Sequence, residues 1–262
     1  MGKEFEITYV FTLFIKLLSA LGTTMFIVVA SILLGVIVGF LIALPRLYNI
    51  PVLRHCSQVF VSFFRGTPVL IQLFLIYYGL PEVLKLLSLD VSRAPVLMFV
   101  IFTYALHSGA FISEAIRAAV TAVDRGQVEA AYAVGMNGYQ AFSRIVLPQA
   151  LAVSIPVLAN IVIANLKDTS LAFSLGVIEL TGKAQTLVTA TQHFIETYIA
   201  LAGIYLLISI GLEKMFNKME RRLLSHERSV VQKAEERASN SLLSSYKGFV
   251  TRLKLGKGGS GV

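Results

Sequence analysis

EAAYAVGMNGYQAFSRIVLP, residues 129–148, is punctuated like two short water-exposed helices, yet it lies between segments apolar enough to dissolve in lipid. Asp124 and Gln127 stand three apart just ahead of it, and Asn137 and Gln140 stand three apart within it. Each pair has the form of a capping box, in which one side chain covers a free helix amide and the other reaches back. The spacing predicts one helix over about 126–134 and a second over about 138–147. Gly135 falls where the first helix ends, where a left-handed residue costs glycine little. Pro148 marks the passage into the apolar segment that follows. The first helix is thin, because Ala130, Ala131 and Ala133 leave its backbone nearly bare beside Glu129. Such a helix stabilises little alone; it can lie on the membrane surface or enter a groove on another protein.

Outward from this loop the chain is too apolar for an ordinary soluble domain, with 56% hydrophobic and 15% charged residues and a mean hydropathy of +0.74. A spanning helix needs about 20 mostly apolar residues, and five such stretches can be drawn. The first, about 18–44, has no charge between Lys16 and Arg46. Within it Ser31, Gly35, Gly39 and Ala43 recur every four residues, a small-residue stripe along which another backbone can approach. The second, about 57–80, contains FRGTP at 64–68, where Thr67 can cap a helix and Pro68 fill its first turn, so the span is expected to break there. The third, about 95–113, opens on Pro95 and holds His107; the fourth, about 149–166, holds Asn160 and Asn165 and is expected to bend at Pro156. A polar break at Lys167, Asp168, Thr169 and Ser170 leads into a half-length apolar run, 171–180, expected to be re-entrant or packed on the bundle. The fifth, about 198–212, is short unless extended back past Glu196 to His193.

Five spans put the termini on opposite sides, and eleven of the 23 lysines and arginines lie from Lys214 onward. The positive-inside tendency then places the C-terminus in the cytoplasm and the N-terminus outside. The expected organisation is an extracytoplasmic N-terminus over 1–17, a membrane domain over 18–212 with a cytoplasmic loop at about 114–148, and a basic cytoplasmic tail over 213–262. The net charge of +8 suits a tail beside anionic lipid better than a nucleic-acid surface. The tail's mixed Glu, Lys and Arg predict a solvated helix that frays. No small-residue cleavage pattern precedes the first span, so it is expected to be retained. The single cysteine, Cys56, excludes an internal disulfide framework.

Enzyme motifs fail on inspection. GVIELTGKA at 176–184 has five residues between its glycines and Ala184 where a phosphate loop needs a hydroxyl, so no ATP site is expected in this chain. Gly256, Gly258 and Gly261 match GxGxxG by spacing, but no strand precedes them. His55, His107, His193 and His226 are scattered without metal-ligand spacing. A secondary transporter or channel would also carry polar breaks in its spans; the odd span number, the lack of a repeat and the capped loop speak against it. A membrane scaffold would explain the loop but not the polar residues at depth.

The pattern Glu129-Ala130-Ala131, three residues, Gly135, nine residues, Ile145, one residue, Leu147-Pro148 resembles the EAA motif of ABC importer permeases at every fixed position. FRGTP at 64–68 and KDTSL at 167–171 resemble signatures of the polar amino acid uptake branch, the histidine, glutamine and cystine-type permeases, and the resemblance covers about 18–212. It implies the type I importer permease fold, all-α and polytopic, in a bacterial plasma membrane. It also implies that Glu129, Ala130, Ala131 and Gly135 dock in a groove of a separate ATPase subunit, with Leu147 and Pro148 joining that coupling helix to the fourth span. ATP and magnesium would sit on the ATPase. A second permease chain, identical or paralogous, and an extracytoplasmic solute-binding protein are implied as further partners.

Ionisable groups at membrane depth are costly and face a cavity or a partner. Arg65, His107, Lys167 and Asp168 are the candidates, with Thr67, Asn160, Asn165, Thr169 and Ser170 as neutral hydrogen-bonding neighbours. A zwitterionic amino acid needs an anion site for its carboxylate and acceptors for its ammonium, and this set can supply both. The alternatives remain open here: Lys167 and Asp168 neutralising each other, Arg65 holding the kink or reaching lipid phosphate, and His107 bonding a neighbouring helix.

Overall fold

The computed structural model describes residues 4–222, and every regular element among them is helical. The helices are α1 (Ile7–Leu18), α2 (Leu21–Leu47), α3 (Pro51–Gly66), α4 (Val69–Lys85), α5 (Val96–Thr121), α6 (Arg125–Ala133), α7 (Gly138–Leu175), α8 (Leu180–Thr191) and α9 (Phe194–Arg222). Of the described residues, 4–216 form the unit that carries the bundle, and those from Asn217 belong to a second unit and are helical. The rest of the expected basic tail lies outside the described residues.

Helices α2, α5, α7 and α9 are long and apolar enough to cross a membrane, and the bent pair α3 and α4 makes a fifth crossing if counted as one span. Four of the five expected spans are therefore present and the second is the bent pair; the first keeps its length and is shifted by three residues, while α5, α7 and α9 run past the apolar stretch into polar ends. Helix α2 has 27 residues, about 40 Å at 1.5 Å per residue, more than the ~30 Å of hydrocarbon. Its small-residue stripe works as the spacing predicts: Ser31, Gly35, Gly39 and Ala43 are all buried, and the stripe faces α5. A Cβ on Gly39 would stand 2.7 Å from Ile112 Cγ2, and one on Gly109 of α5 would stand 2.8 Å from Val38 Cγ1. Backbones this close leave no room for a methyl group and bring dispersion contacts where lipid offers no hydrophobic drive.

The FRGTP break is real, and its chemistry corrects the expected cap. Thr67 and Pro68 are both extended and turn the chain by 114° between α3 and α4. Pro68 takes the N-cap position, so Thr67 stands one residue too early for its hydroxyl to reach the first amides of α4. The hydroxyl instead donates back to Phe63 O at 2.8 Å. The carbonyls freed by the break are met by Gln72, whose Nε2 donates to Phe64 O (2.8 Å), Thr67 O (2.9 Å) and Thr67 Oγ1 (2.9 Å). In hydrocarbon such carbonyls have no water to turn to, so a fully buried amide at this point is what makes the break tolerable.

Helix α7 differs from expectation in its continuity. The second loop helix and the fourth span are one helical run, passing through Pro156 without a break. Pro148 lacks an N–H and its ring would collide with the carbonyl four residues back. The preceding turn, Phe142–Val146, widens into a π-turn that absorbs both effects. The run ends in a tighter 3-10 turn, Thr169–Leu175, closed by Gly176 at φ +82°.

The apolar stretch after Asp168 packs on the bundle rather than spanning it. Ala172 joins Ile27, Leu73, Val100 and Tyr104 in one core cluster. Helix α8 goes beyond the sequence expectation: Glu179 caps it by accepting from Thr181 N and Gly182 N, both at 2.9 Å. Leu180 and Ala184 of α8 then meet Leu13 and Leu17 of α1 and Ala200, Leu201 and Ile204 of α9 in a second cluster. Residues 7–18 are thus a helix packed on the bundle.

Candidate functional site

Two places collect the residues singled out above, a pocket between α5 and α7 and the loop around α6. The pocket, about 190 Å³, is lined by His107, Ser108 and Phe111 of α5 and by Ile161, Ala164, Asn165 and Asp168 of α7. Asn165 is a buried staple: its Nδ2 donates to Ser108 Oγ at 2.8 Å, and its Oδ1 accepts from Ser31 Oγ at 3.2 Å. Three helices are pinned where the pocket lies. Tyr104 O–H donates to the main-chain oxygen of Asp168 at 2.6 Å, fixing the end of the α-helical part of α7. The Asp168 carboxylate itself is half-buried and has no hydrogen-bond or ion-pair partner among the described residues.

His107 Nδ1 lies 2.9 Å from Gln72 Oε1. The three acceptors around Gln72 Nε2 fix that amide's orientation, so Oε1 accepts and His107 Nδ1 carries the hydrogen. The helix break and the pocket therefore share one hydrogen-bond network. Arg65, at the C-terminal end of α3, is exposed, and its guanidinium carbon stands 5.4 Å from the centroid of the Phe111 ring, a cation–π contact.

Of the expected pathway residues, the pocket brings together His107, Asn165 and Asp168, with Arg65 joined through Phe111 and Thr67 through Gln72. Lys167 is exposed and makes no ion pair with Asp168. Asn160 is exposed and outside the pocket. Thr169 is buried with its hydroxyl on Leu166 O, and half-buried Ser170 lines none of the pocket. Gln72, Ser108 and Phe111 escaped the sequence reading, since single Gln, Ser and Phe residues in apolar helices carry no motif.

The loop departs from expectation in two details, at Gln127 and at Ala131, whose burial removes it from the exposed face expected to dock. Asp124 caps α6 by accepting from Gly126 N at 2.7 Å, but Gln127 does not complete a box. Its Oε1 accepts instead from Gln149 Nε2 at 2.7 Å, tying α6 to α7. The second box is complete: Gln140 N donates to Asn137 Oδ1 at 2.9 Å, and Asn137 N to Gln140 Oε1 at 3.0 Å. Gly135 has φ +84° with nothing within 4 Å of where a Cβ would lie. Glu129, Ala130, Gly135, Leu147 and Pro148 are exposed, while Ala131 is buried against its own chain. Glu129 also lines a hollow of about 490 Å³ between α6, the start of α7 and the adjoining ends of α2 and α5. Those two helix ends are locked together by Glu114, which pairs with Arg46 of α2 and with Arg117 at 3.0 Å.

Residues 31–225 match the family model described as the binding-protein-dependent transport system inner membrane component. The chain is 43% identical over 231 residues to the L-cystine transport system permease protein TcyL of Bacillus subtilis (strain 168), covering 88% of this chain and 97% of that one. It is 33% identical over 200 residues to the glutamine transport system permease protein GlnP of Escherichia coli (strain K12), covering 76% and 89%. Among solved structures, an amino acid ABC transporter crystallised with histidines aligns with a TM-score of 0.74 at 30% identity, covering 84% of this chain and all of that one. The MetNI methionine ABC transporter aligns with a TM-score of 0.61 at 17% identity, over 79% and 94%, a likeness of fold. The fold is that of a type I importer permease, and the relatives are transporter components without an ATP site of their own. The chain belongs to the family of inner-membrane components of binding-protein-dependent transport systems and is a multi-pass membrane protein.

Proposed function

We propose that this chain is the translocation subunit of an ATP-driven importer for a polar amino acid, with cystine among the candidates. The observation that carries the reading is the Asp168 carboxylate, half-buried in a pocket and without a cation among the described residues. A charge held this way is costly unless something arrives to pair with it. The ammonium of an amino acid fits that need, and the Arg65 guanidinium across the Phe111 ring suits the carboxylate of the same solute. The pocket's 190 Å³ suits a small solute. The L-cystine and glutamine permeases among the relatives support the same solute class.

The loop supplies the coupling. Exposed Glu129 and Ala130, the turn at Gly135, and the Leu147-Pro148 joint form a face that docks on a separate ATPase, which holds ATP and magnesium. Gln127 and Gln149 pass movement of α6 into α7, whose far end carries Asn165 and Asp168. Two ATPase subunits, a second permease chain and an extracytoplasmic solute-binding protein complete the assembly, with the N-terminus outside and the C-terminus in the cytoplasm. Closure of the ATPase pair shifts the permease bundles between inward- and outward-open states.

The test is ATP-dependent uptake of labelled L-cystine and L-glutamine by the reconstituted assembly, with Asp168→Asn alongside. Uptake by the parent, and its loss in Asp168→Asn with the ATPase still bound, supports the proposal. ATP-independent uptake by the parent would move the chain to the secondary transporters.

A further inference from the structure

We propose that Phe111 is a valve between the solute pocket and an exit groove, latched by Arg65; this rests on the amino acid pathway proposed above. A second hollow, about 410 Å³, runs beside the pocket between α5 and α7 toward the end of the bundle that carries α6. Ala115, Ala118 and Ala122 form one wall and Val153 and Val157 the other, with Arg65, Glu114 and Ser154 also lining the space. Phe111 and Ile161 line both spaces and form the boundary between them. Both spaces carry polar groups, Asp168, Asn165 and His107 in the pocket and Arg65, Glu114 and Ser154 in the groove. A solute leaving the pocket toward α6 passes the Phe111 ring.

The ring is held from both sides, by His107 of the pocket and by Arg65, which lines the groove. The Arg65 guanidinium lies over its face at 5.4 Å, and the His107 ring stands 5.1 Å away at 50°. A cation over a ring face is attracted by the ring quadrupole, but a carboxylate attracts it more strongly and in a directed way. A solute in the pocket whose carboxylate reaches past the ring to Arg65 on the groove side therefore removes the cation from the ring and frees Phe111 to change rotamer. Occupancy of the pocket and release of the valve become one event, and an empty pocket keeps the ring latched.

The test uses the assembled transporter in inside-out vesicles without ATP, in a Cys56→Ser background, with a small membrane-impermeant thiol reagent. Single cysteines are placed by Ala164→Cys in the pocket and Ala118→Cys in the groove. With Phe111 intact, Ala164→Cys should react about tenfold more slowly than Ala118→Cys, a rate difference typical of one modest barrier. Phe111→Ala should bring the two rates together, and Phe111→Leu serves as a milder variant if Phe111→Ala assembles poorly. Loading the vesicle lumen with L-glutamine, or with a thioether analogue of L-cystine that cannot exchange with thiols, should speed Ala164→Cys labelling in the parent but not in Arg65→Gln. Equal rates with Phe111 intact, or a rate gap that survives Phe111→Ala, would overturn the valve. Labelling does not depend on transport, so a parent that takes up no amino acid sinks the pathway reading separately.

Discussion

Replacement of Gly135 separates backbone strain from crowding, because the residue sits at φ +84° with nothing within 4 Å of the place a Cβ would take. A β-carbon there meets no neighbour, so the whole cost of substitution is conformational. For an ordinary L-residue the left-handed region costs about 1–2 kcal/mol, less for Asn and more for a β-branched side chain. Gly135 N donates to Tyr132 O and Met136 N to Ala131 O, both at 3.0 Å, so the strained alternative gives up two bonds that end α6. A penalty of about 2 kcal/mol lowers the population of the two-helix arrangement up to about 30-fold against its competitors. Insertion of the spans is unaffected, since the turn lies outside them. Uptake per unit of membrane-inserted protein should fall in the order Gly135→Asn, Gly135→Ala, Gly135→Val, measured with labelled amino acid and abundance by immunoblot. Parent-level uptake by Gly135→Val, or a larger loss in Gly135→Asn than in Gly135→Val, would refute the reasoning.

Three further outcomes rest on the packing. Gly39→Ala forces a methyl group against Ile112, which is buried and β-branched, so overpacking should cost about 1–3 kcal/mol and lower the thermal midpoint of the detergent-solubilised protein; Gly22→Ala, with open space around it, is the control that should not. Gln72→Leu strips the Phe64 and Thr67 carbonyls and His107 of a partner, and should cost about 1–3 kcal/mol per buried group left unpaired, read as lower yield of folded protein and faster proteolysis at the α3–α4 break. Gln149→Ala removes the side-chain link from α6 to α7 without touching the docking face; ATP turnover per solute carried should rise while the ATPase still co-purifies.

The parts of the fold that could be read in the sequence are those whose chemistry is local. The four-residue period of Ser31, Gly35, Gly39 and Ala43 needs only a charge-free helix around it, and the Asn137–Gln140 box closes within one turn. The break at Thr67-Pro68 is written in the proline. What could not be read depends on partners far along the chain. Gln72 acts through His107, 35 residues on, and Gln127 leaves its expected box for Gln149, 22 residues on. The continuity of α7 through Pro148 rests on a π-turn, which no residue type announces. Helix α8 is hidden for a similar reason: a buried carboxylate, Glu179, starts it, in a stretch whose hydropathy alone suggests a loop. Of the pathway candidates, Asp168, His107 and Asn165 converge because α5 and α7 cross where Asn165 bonds Ser108. Lys167 and Asn160 stand apart because helical rotation turns them outward.

The central claim is that the loop at 124–148 couples this chain to a separate ATPase. Its most direct test is affinity purification of the mildly solubilised protein from its own membrane, with Glu129→Lys alongside. An ATPase subunit should co-purify with the parent in a stable ratio and be lost from Glu129→Lys, whose spans still insert. A parent that brings down no ATPase even after mild crosslinking, or a Glu129→Lys variant that retains it in full, would contradict the claim.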